Sequence, residues 1–174
     1  MNAFFVPPSM LTQHETFLRQ TFELARQAAQ SGNDPFGSLL VLNDQVVATS
    51  ADQCIQDSDP TAHAELQLIR TYCRTHKRIH LKNFTLYTNV EPCIMCSGAI
   101  HWAKLTTVVF GMSQQSLQSF SGGQPKPSCH DLINAGGKTI TIIGPLLETE
   151  ARQVFEAFPF QSKIERHQKM HGPF

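Results

Sequence analysis

Four polar side chains have the types and spacing to do chemistry together: His63 and Glu65 in AHAELQLIR, and Cys93 and Cys96 in EPCIMC. One imidazole nitrogen and two thiolates form a donor set that zinc prefers. A catalytic zinc keeps three protein ligands and leaves its fourth position open. Cysteines at i and i+3 share a helical face, so both can turn toward one ion. Each pair sits where a helix is expected to begin, and the partial positive charge at a helix N-terminus favours a thiolate. Glu65 projects from a different side of the helix than His63, which makes it a neighbour of the ion and not a ligand. Such a carboxylate would hold a water molecule, take its proton and return it to a leaving group. A bound metal lowers the pKa of water to about 7, so the set suits hydrolytic attack on a carbon that bears an amino group. A closed structural zinc is the alternative, and it would need a fourth ligand such as Cys54, Cys73 or Cys129. The remaining histidines (His14, His76, His80, His101, His130, His167, His171) each read as surface or packing residues.

The elements that must position these groups follow from periodicity and punctuation. Apolar residues Leu18, Phe22, Ala25 and Ala29 recur at helical spacing over 13–30, and SGNDP ends that helix. Two short apolar runs over 37–50, joined by Asn43-Asp44, predict a hairpin. Asp59 or Thr61 caps a second helix, with Pro60 near its first turn, running to about Cys73. FTLYTN (84–89) is a strand, Pro92 opens a third helix to about Ala103, and TTVVFG (106–111) is a strand. Residues 113–137 are polar and rich in Gly, Pro and Ser, which predicts a long loop. A strand over 138–144 and a helix over 146–158 complete the pattern. A hairpin followed by alternating helices and strands predicts a three-layer α/β/α sandwich on a mixed sheet. With neither repeats nor a linker, the reading is one domain over 1–174 with a tail from 160 to 174.

At 174 residues, 41% hydrophobic and 16% charged, the composition is that of a globular chain able to bury a core. A formal net charge of zero argues against a strong electrostatic grip on nucleic acid or an anionic membrane. The basic run RTYCRTHKRIHLK (70–82) reads as a solvated helix end and loop. No run approaches the length of a membrane span, and the opening MNAFFVPPS lacks the basic start of a secretory signal. The expected location is cytoplasmic, where the five cysteines stay reduced and read as metal ligands or core residues.

An H-x-E motif followed by P-C-x-x-C is the signature of zinc nucleobase deaminases. The chain resembles the cytidine deaminase superfamily, and within it the branch of tRNA adenosine deaminases and guanine deaminases. The resemblance covers roughly residues 15–160 and rests on DPFGSLLV (34–41), DPTAHAELQLIR (59–70), LYTNVEPCIMCSGAIHWAK (86–104) and VVFG (108–111). It implies a five-stranded α/β/α fold, one zinc ion per chain and a homodimer packed through helices near the zinc site. Carried over by motif, His63, Cys93 and Cys96 hold the zinc, Glu65 shuttles protons, and the backbone around Ala64 meets the base. Trp102 and Phe36 resemble the guanine deaminase form, which implies that Trp102 packs on the purine and Phe36 lines the base pocket. Asp52 stands where relatives carry a substrate-binding asparagine. An ionised aspartate only accepts hydrogen bonds, so a ligand at Asp52 would have to present a donor.

The function implied is deamination of a purine-like nucleobase or nucleoside, guanine-like first, with release of ammonia. A tRNA wobble-adenosine deaminase and a non-catalytic structural zinc module are the alternatives. Guanine deaminases close their sites with C-terminal residues, so residues 167–174, ending in Phe174, are expected to act as a lid where composition alone predicts a frayed end.

Overall fold

A computed structural model describes residues 8–122, 126–135, 137, 139–158 and 162–173. The elements in chain order are α1 (Pro8–Gln30), β1 (Gly37–Leu42), β2 (Gln45–Ala51), α2 (Ala64–Thr75), β3 (Thr85–Val90), α3 (Ile94–Ala103), β4 (Thr107–Met112), α4 (Gln114–Ser121), α5 (Cys129–Ile133), β5 (Thr141–Ile143), α6 (Glu148–Glu156) and α7 (Lys163–His171). The sheet has five strands in the order β2-β1-β3-β4-β5. β1 runs antiparallel to β2 and β3, while β3, β4 and β5 run parallel, so the sheet is mixed.

Local chemistry explains the hairpin. Asn43 and Asp44 take φ of 49° and 60°, the left-handed pair that a tight two-residue turn requires and that short polar side chains tolerate. The parallel strands β3 and β4 need a crossover, which α3 supplies.

Side chains alternate across the sheet with period two. Leu40, Leu86 and Val108 pack beneath α2, α3 and α5 with Leu68, Ile100 and Ile133. Leu39, Tyr87 and Val109 face α1 and α6 with Phe17, Phe22 and Phe155. These two cores on opposite faces of one sheet make the three layers. Gly37 lets α1 approach β1 closely: a Cβ there would lie 2.5 Å from the Thr21 carbonyl oxygen.

Several boundaries differ from the sequence expectation. The second helix begins at Ala64, with His63 as its N-cap, and not at Asp59–Thr61. Asp59 Oδ1 accepts the Thr61 N–H (2.7 Å) and hydroxyl (2.6 Å), a local turn that competes with helix. Segment 113–137 is not a continuous loop, since it holds α4 and α5. Each follows a serine N-cap: Ser113 accepts from the Ser116 N–H, and Ser128 from the His130 N–H. The last strand is confined to Thr141–Ile143. The tail is not frayed over its described part but forms α7, while Phe174 lies outside the described residues. Among the described residues no helix is long and apolar enough to cross a membrane. All five cysteines are free thiols.

Candidate active site

The starts of α2 and α3 meet beside the carboxyl end of β3. His63 and Cys93 are the N-caps of these helices and both are extended, at φ/ψ of −66°/148° and −71°/174°. Cys96 follows in the first turn of α3. His63 Nδ1 lies 3.6 Å from Cys93 Sγ and 3.8 Å from Cys96 Sγ. Zinc bonds of about 2.3 Å to sulfur and about 2.0 Å to nitrogen at tetrahedral angles set an N···S separation of about 3.5 Å, so the donor set fits one tetrahedral zinc ion. Among the described residues this group stops at three ligand atoms within mutual reach. Of the candidate fourth ligands, Cys129 is buried in the core under α5, and Cys73 packs against that same core. Cys54 lies beside His63 but belongs to a separate group with Asp52.

The cluster's electrostatics commit one of its thiols, Cys93, to the thiolate that a metal binds, while the other two groups hold protons. A hydrogen bond from Cys96, together with His63, pulls the Cys93 thiol down to about 3. Contacts with Cys54 and Cys93 push the His63 imidazole up to about 11. Cys96 moves up, because it donates its proton to Cys93 and is buried. In the metal-free state the cluster is therefore a thiolate paired with an imidazolium, and metal binding has to expel protons.

Glu65, in the first turn of α2, is only 6% exposed. Burial, and then the Cys93 charge, raise its pKa. The Thr88 hydroxyl donates to Oε1 at 3.2 Å, and the Cys96 thiol lies 3.5 Å from Oε2. The carboxylate is thus oriented from β3 and sits against the metal cluster without joining it.

A cavity of about 400 Å³ opens onto His63, Glu65 and Cys93. Phe36 forms part of its wall, tilted against Phe155 with centroids 5.7 Å apart. Asn89 holds the turn before β1 in place: its Oδ1 accepts the Gly37 N–H and its Nδ2 donates to the Pro35 carbonyl, each at 2.9 Å. Opposite stand Ser162, Lys163 and Arg166 from the start of α7. Lys163 and Arg166 both pair with buried Asp34. Further along, His167 Nε2 meets Ser58 Oγ at 2.7 Å and His171 Nε2 meets the Ile55 carbonyl at 2.8 Å. The pocket wall therefore comes from residues 162–166, just before the expected lid. A larger cleft of about 680 Å³, lined by Arg26, Phe158 and Met170, has no cysteine, histidine or carboxylate in its lining.

Two residues expected to contact substrate do not line the cavity of the single chain. Trp102 does not reach the cavity: it is 75% exposed on the outer face of α3, in a surface depression with Ile79 and Arg74. Its position in the helix points it away from the sheet and from Cys96. Asp52 also does not line the cavity. It is 1% exposed, and both its oxygens turn to Cys54, accepting the backbone N–H at 3.1 Å and the thiol at 3.3 Å. Ala64 is fully buried between His63 and Glu65.

Residues absent from the sequence reading are Asp34, Thr88, Glu91, Gln114, Lys163 and Arg166. Glu91 was visible in EPCIMC. Its carboxylate clips the starts of two helices, accepting from the backbone N–H of Gln114 (3.0 Å) and of Cys129 (2.9 Å). Asp34 lies in the quoted DPFG, but nothing local announces partners more than a hundred residues away.

A layered α/β fold with one nitrogen and two thiolates gathered at two helix starts, and a buried carboxylate beside them, defines a class of zinc hydrolases acting on amino-substituted rings. Residues 11–112 match the cytidine and deoxycytidylate deaminase zinc-binding region, and the chain belongs to that family. It is 34% identical over 140 residues to a probable cytosine deaminase of Schizosaccharomyces pombe, covering 78% of this chain and 85% of that one. It is 39% identical over 98 residues to the guanine deaminase of Bacillus subtilis, covering 56% and 63%. A solved tRNA:A34 deaminase of A-to-I editing at the wobble position superposes with a TM-score of 0.65 at 28% identity, covering 80% of this chain and 99% of that one. The protein is a hydrolytic, zinc-binding nucleobase or nucleoside deaminase.

Proposed function

We propose that the protein deaminates a free purine-like nucleobase, guanine first, with His63, Cys93 and Cys96 holding one zinc ion and Glu65 moving the protons. Zinc held by these ligands supplies the Lewis acidity that makes water a nucleophile at neutral pH. The remaining steps belong to the chain. Glu65 takes a proton from the attacking water and delivers it to the ring nitrogen beside the attacked carbon. It then carries a second proton to the departing amino group. Water adds, ammonia leaves, and the C–NH2 carbon becomes a carbonyl. The Thr88 hydroxyl on Oε1 holds the carboxylate in place for both transfers. Phe36, in the cavity wall, offers a ring face to the base.

The observation that carries the small-substrate reading is α7. Ser162, Lys163 and Arg166 wall a cavity of about 400 Å³, in the range of small-molecule sites. An anticodon loop would have to displace that helix. The substrate of the Bacillus subtilis relative supports guanine among the purines. A tRNA reading draws on the solved tRNA:A34 deaminase and on the basic residues Arg70, Arg74, Lys77 and Arg78 on one surface. Ammonia release from guanine, adenine, cytosine, their nucleosides and an anticodon stem-loop decides between them. Activity on RNA alone rejects the proposal.

The protein is further proposed to be a homodimer through the outer face of α3. Ile79 and Trp102 stand exposed together in one surface depression beside the end of α3, Ile94 is exposed at its start, and large apolar side chains grouped in water mark an interaction surface. Gly98 has open space where a Cβ would be, which permits close approach of a second helix.

A further inference from the structure

His63 stands at the junction of two triads. Its Nδ1 faces Cys93 and Cys96, and a ring nitrogen, the Cys54 sulfur and an Asp52 carboxylate oxygen all lie within 4.8 Å of one another. The second triad is a directed hydrogen-bond chain. Cys54 Sγ donates to Asp52 Oδ2 at 3.3 Å, so its one proton is committed, and toward His63 the sulfur can only accept.

The loop that carries Cys54 is fixed from several sides. Asn33 Oδ1 accepts the N–H groups of Ile55 and Gln56 at 3.1 and 3.0 Å. The Gln53 N–H donates to the Ala62 carbonyl at 3.0 Å, tying the loop to the residue before His63. Cys54 itself is 6% exposed.

We propose that Cys54 and Asp52 are positioning residues for the metal ligand His63: the second ring N–H of His63 donates to the Cys54 sulfur, whose S–H donates to Asp52. A metal-ligating histidine donates its other ring N–H to a partner that fixes tautomer and ring orientation. Here the chain holds the bare Nδ1 toward the two thiolates. Asp52 accepts two bonds from Cys54, one per oxygen, and an asparagine offers only one acceptor oxygen and would turn its NH2 on one of the two donors. The inference rests on the zinc reading of His63, Cys93 and Cys96.

The test is zinc affinity of the full chain by chelator competition, beside the absorption of the cobalt-substituted protein and the melting temperature of the metal-free protein. Wild type should bind one ion. Cys54→Ala should bind zinc about 10–100-fold more weakly, with an altered cobalt spectrum and little change in metal-free melting. Cys54→Ser, which keeps an acceptor and a donor, should recover most of the affinity, and Asp52→Asn should fall between. Cys54→Ala binding zinc within twofold of a zinc-loaded wild type would overturn this inference alone. So would a second ion per chain that is lost with Cys54, since Cys54 would then be a ligand. A wild type that binds no zinc would overturn the site reading and this inference with it.

Discussion

Arg166 donates through Nη2 to Oδ1 of Asp34, closing a contact across 132 residues at the mouth of the candidate pocket. Its Nη1 donates to the Gly32 carbonyl at 3.2 Å, and its side chain is 10% exposed. α7 has no buried residue of its own and is held by such polar contacts, the mark of an element that opens at low cost.

Arg166→Ala should therefore loosen α7 and leave the metal cluster intact. Asp34 keeps Lys163 as a partner, so the fold should survive. Loss of a charged hydrogen bond is worth about 1.5–3 kcal/mol, which predicts a drop in kcat/KM of roughly tenfold or more with zinc content unchanged. Deleting residues 167–174 should act in the same direction, because it removes the contacts of His167 and His171 with Ser58 and Ile55. Steady-state kinetics with metal analysis checks both.

Glu65→Gln should keep zinc and fold and lose ammonia release. General acid–base catalysis is worth about 10²–10⁴-fold, and one residue serving two transfers puts the loss at the upper end. The amide fills the same space and still accepts from Thr88. A variant at a tenth of the wild-type rate would place the proton carrier elsewhere.

What could be read from the sequence was what short spacing encodes. His63 and Glu65 lie two residues apart, Cys93 and Cys96 three, and each pair sits at a helix start whose strand or loop could be recognised. The hairpin was legible in Asn43-Asp44 because few residues accept that backbone. Helix α7 was not, because its stability comes from Asp34, Ser58 and Ile55 and not from its own apolar stripe. Trp102 shows another limit: an aromatic on a helix carrying site residues can face the pocket or the solvent, and only the packing of α3 decides. Asp52 could be singled out in the sequence, but its direction depends on Cys54, two residues on.

Trp102→Glu should convert a dimer to a monomer at micromolar concentration, since a charge at the centre of an apolar contact cannot be desolvated without a partner. Light scattering gives the mass. A wild-type protein that is already monomeric would remove the dimer proposal.

His14 supplies a pH dependence outside the metal cluster. Burial lowers its pKa below the ordinary 6.5, and its Nδ1 is hydrogen-bonded to the Tyr87 hydroxyl at 2.7 Å. A depressed histidine adds stability that is full above the unfolded value and is lost as pH falls through the folded one. Metal-free wild type should lose stability on acidification from about 6.5 downward, and His14→Gln should lose less over that window. Urea unfolding at a series of pH values measures the difference.

Deamination of a free base is proposed to need both the zinc held by His63, Cys93 and Cys96 and the protons carried by Glu65. The most direct measurement is ammonia release from guanine by zinc-loaded wild type, Glu65→Gln and Cys93→Ser, with zinc counted in each. Wild type should release ammonia with about one zinc per chain, Glu65→Gln should be zinc-loaded but inactive, and Cys93→Ser should have lost both metal and activity. Full zinc and full activity in Cys93→Ser, or ammonia release undiminished in Glu65→Gln, would contradict the proposal.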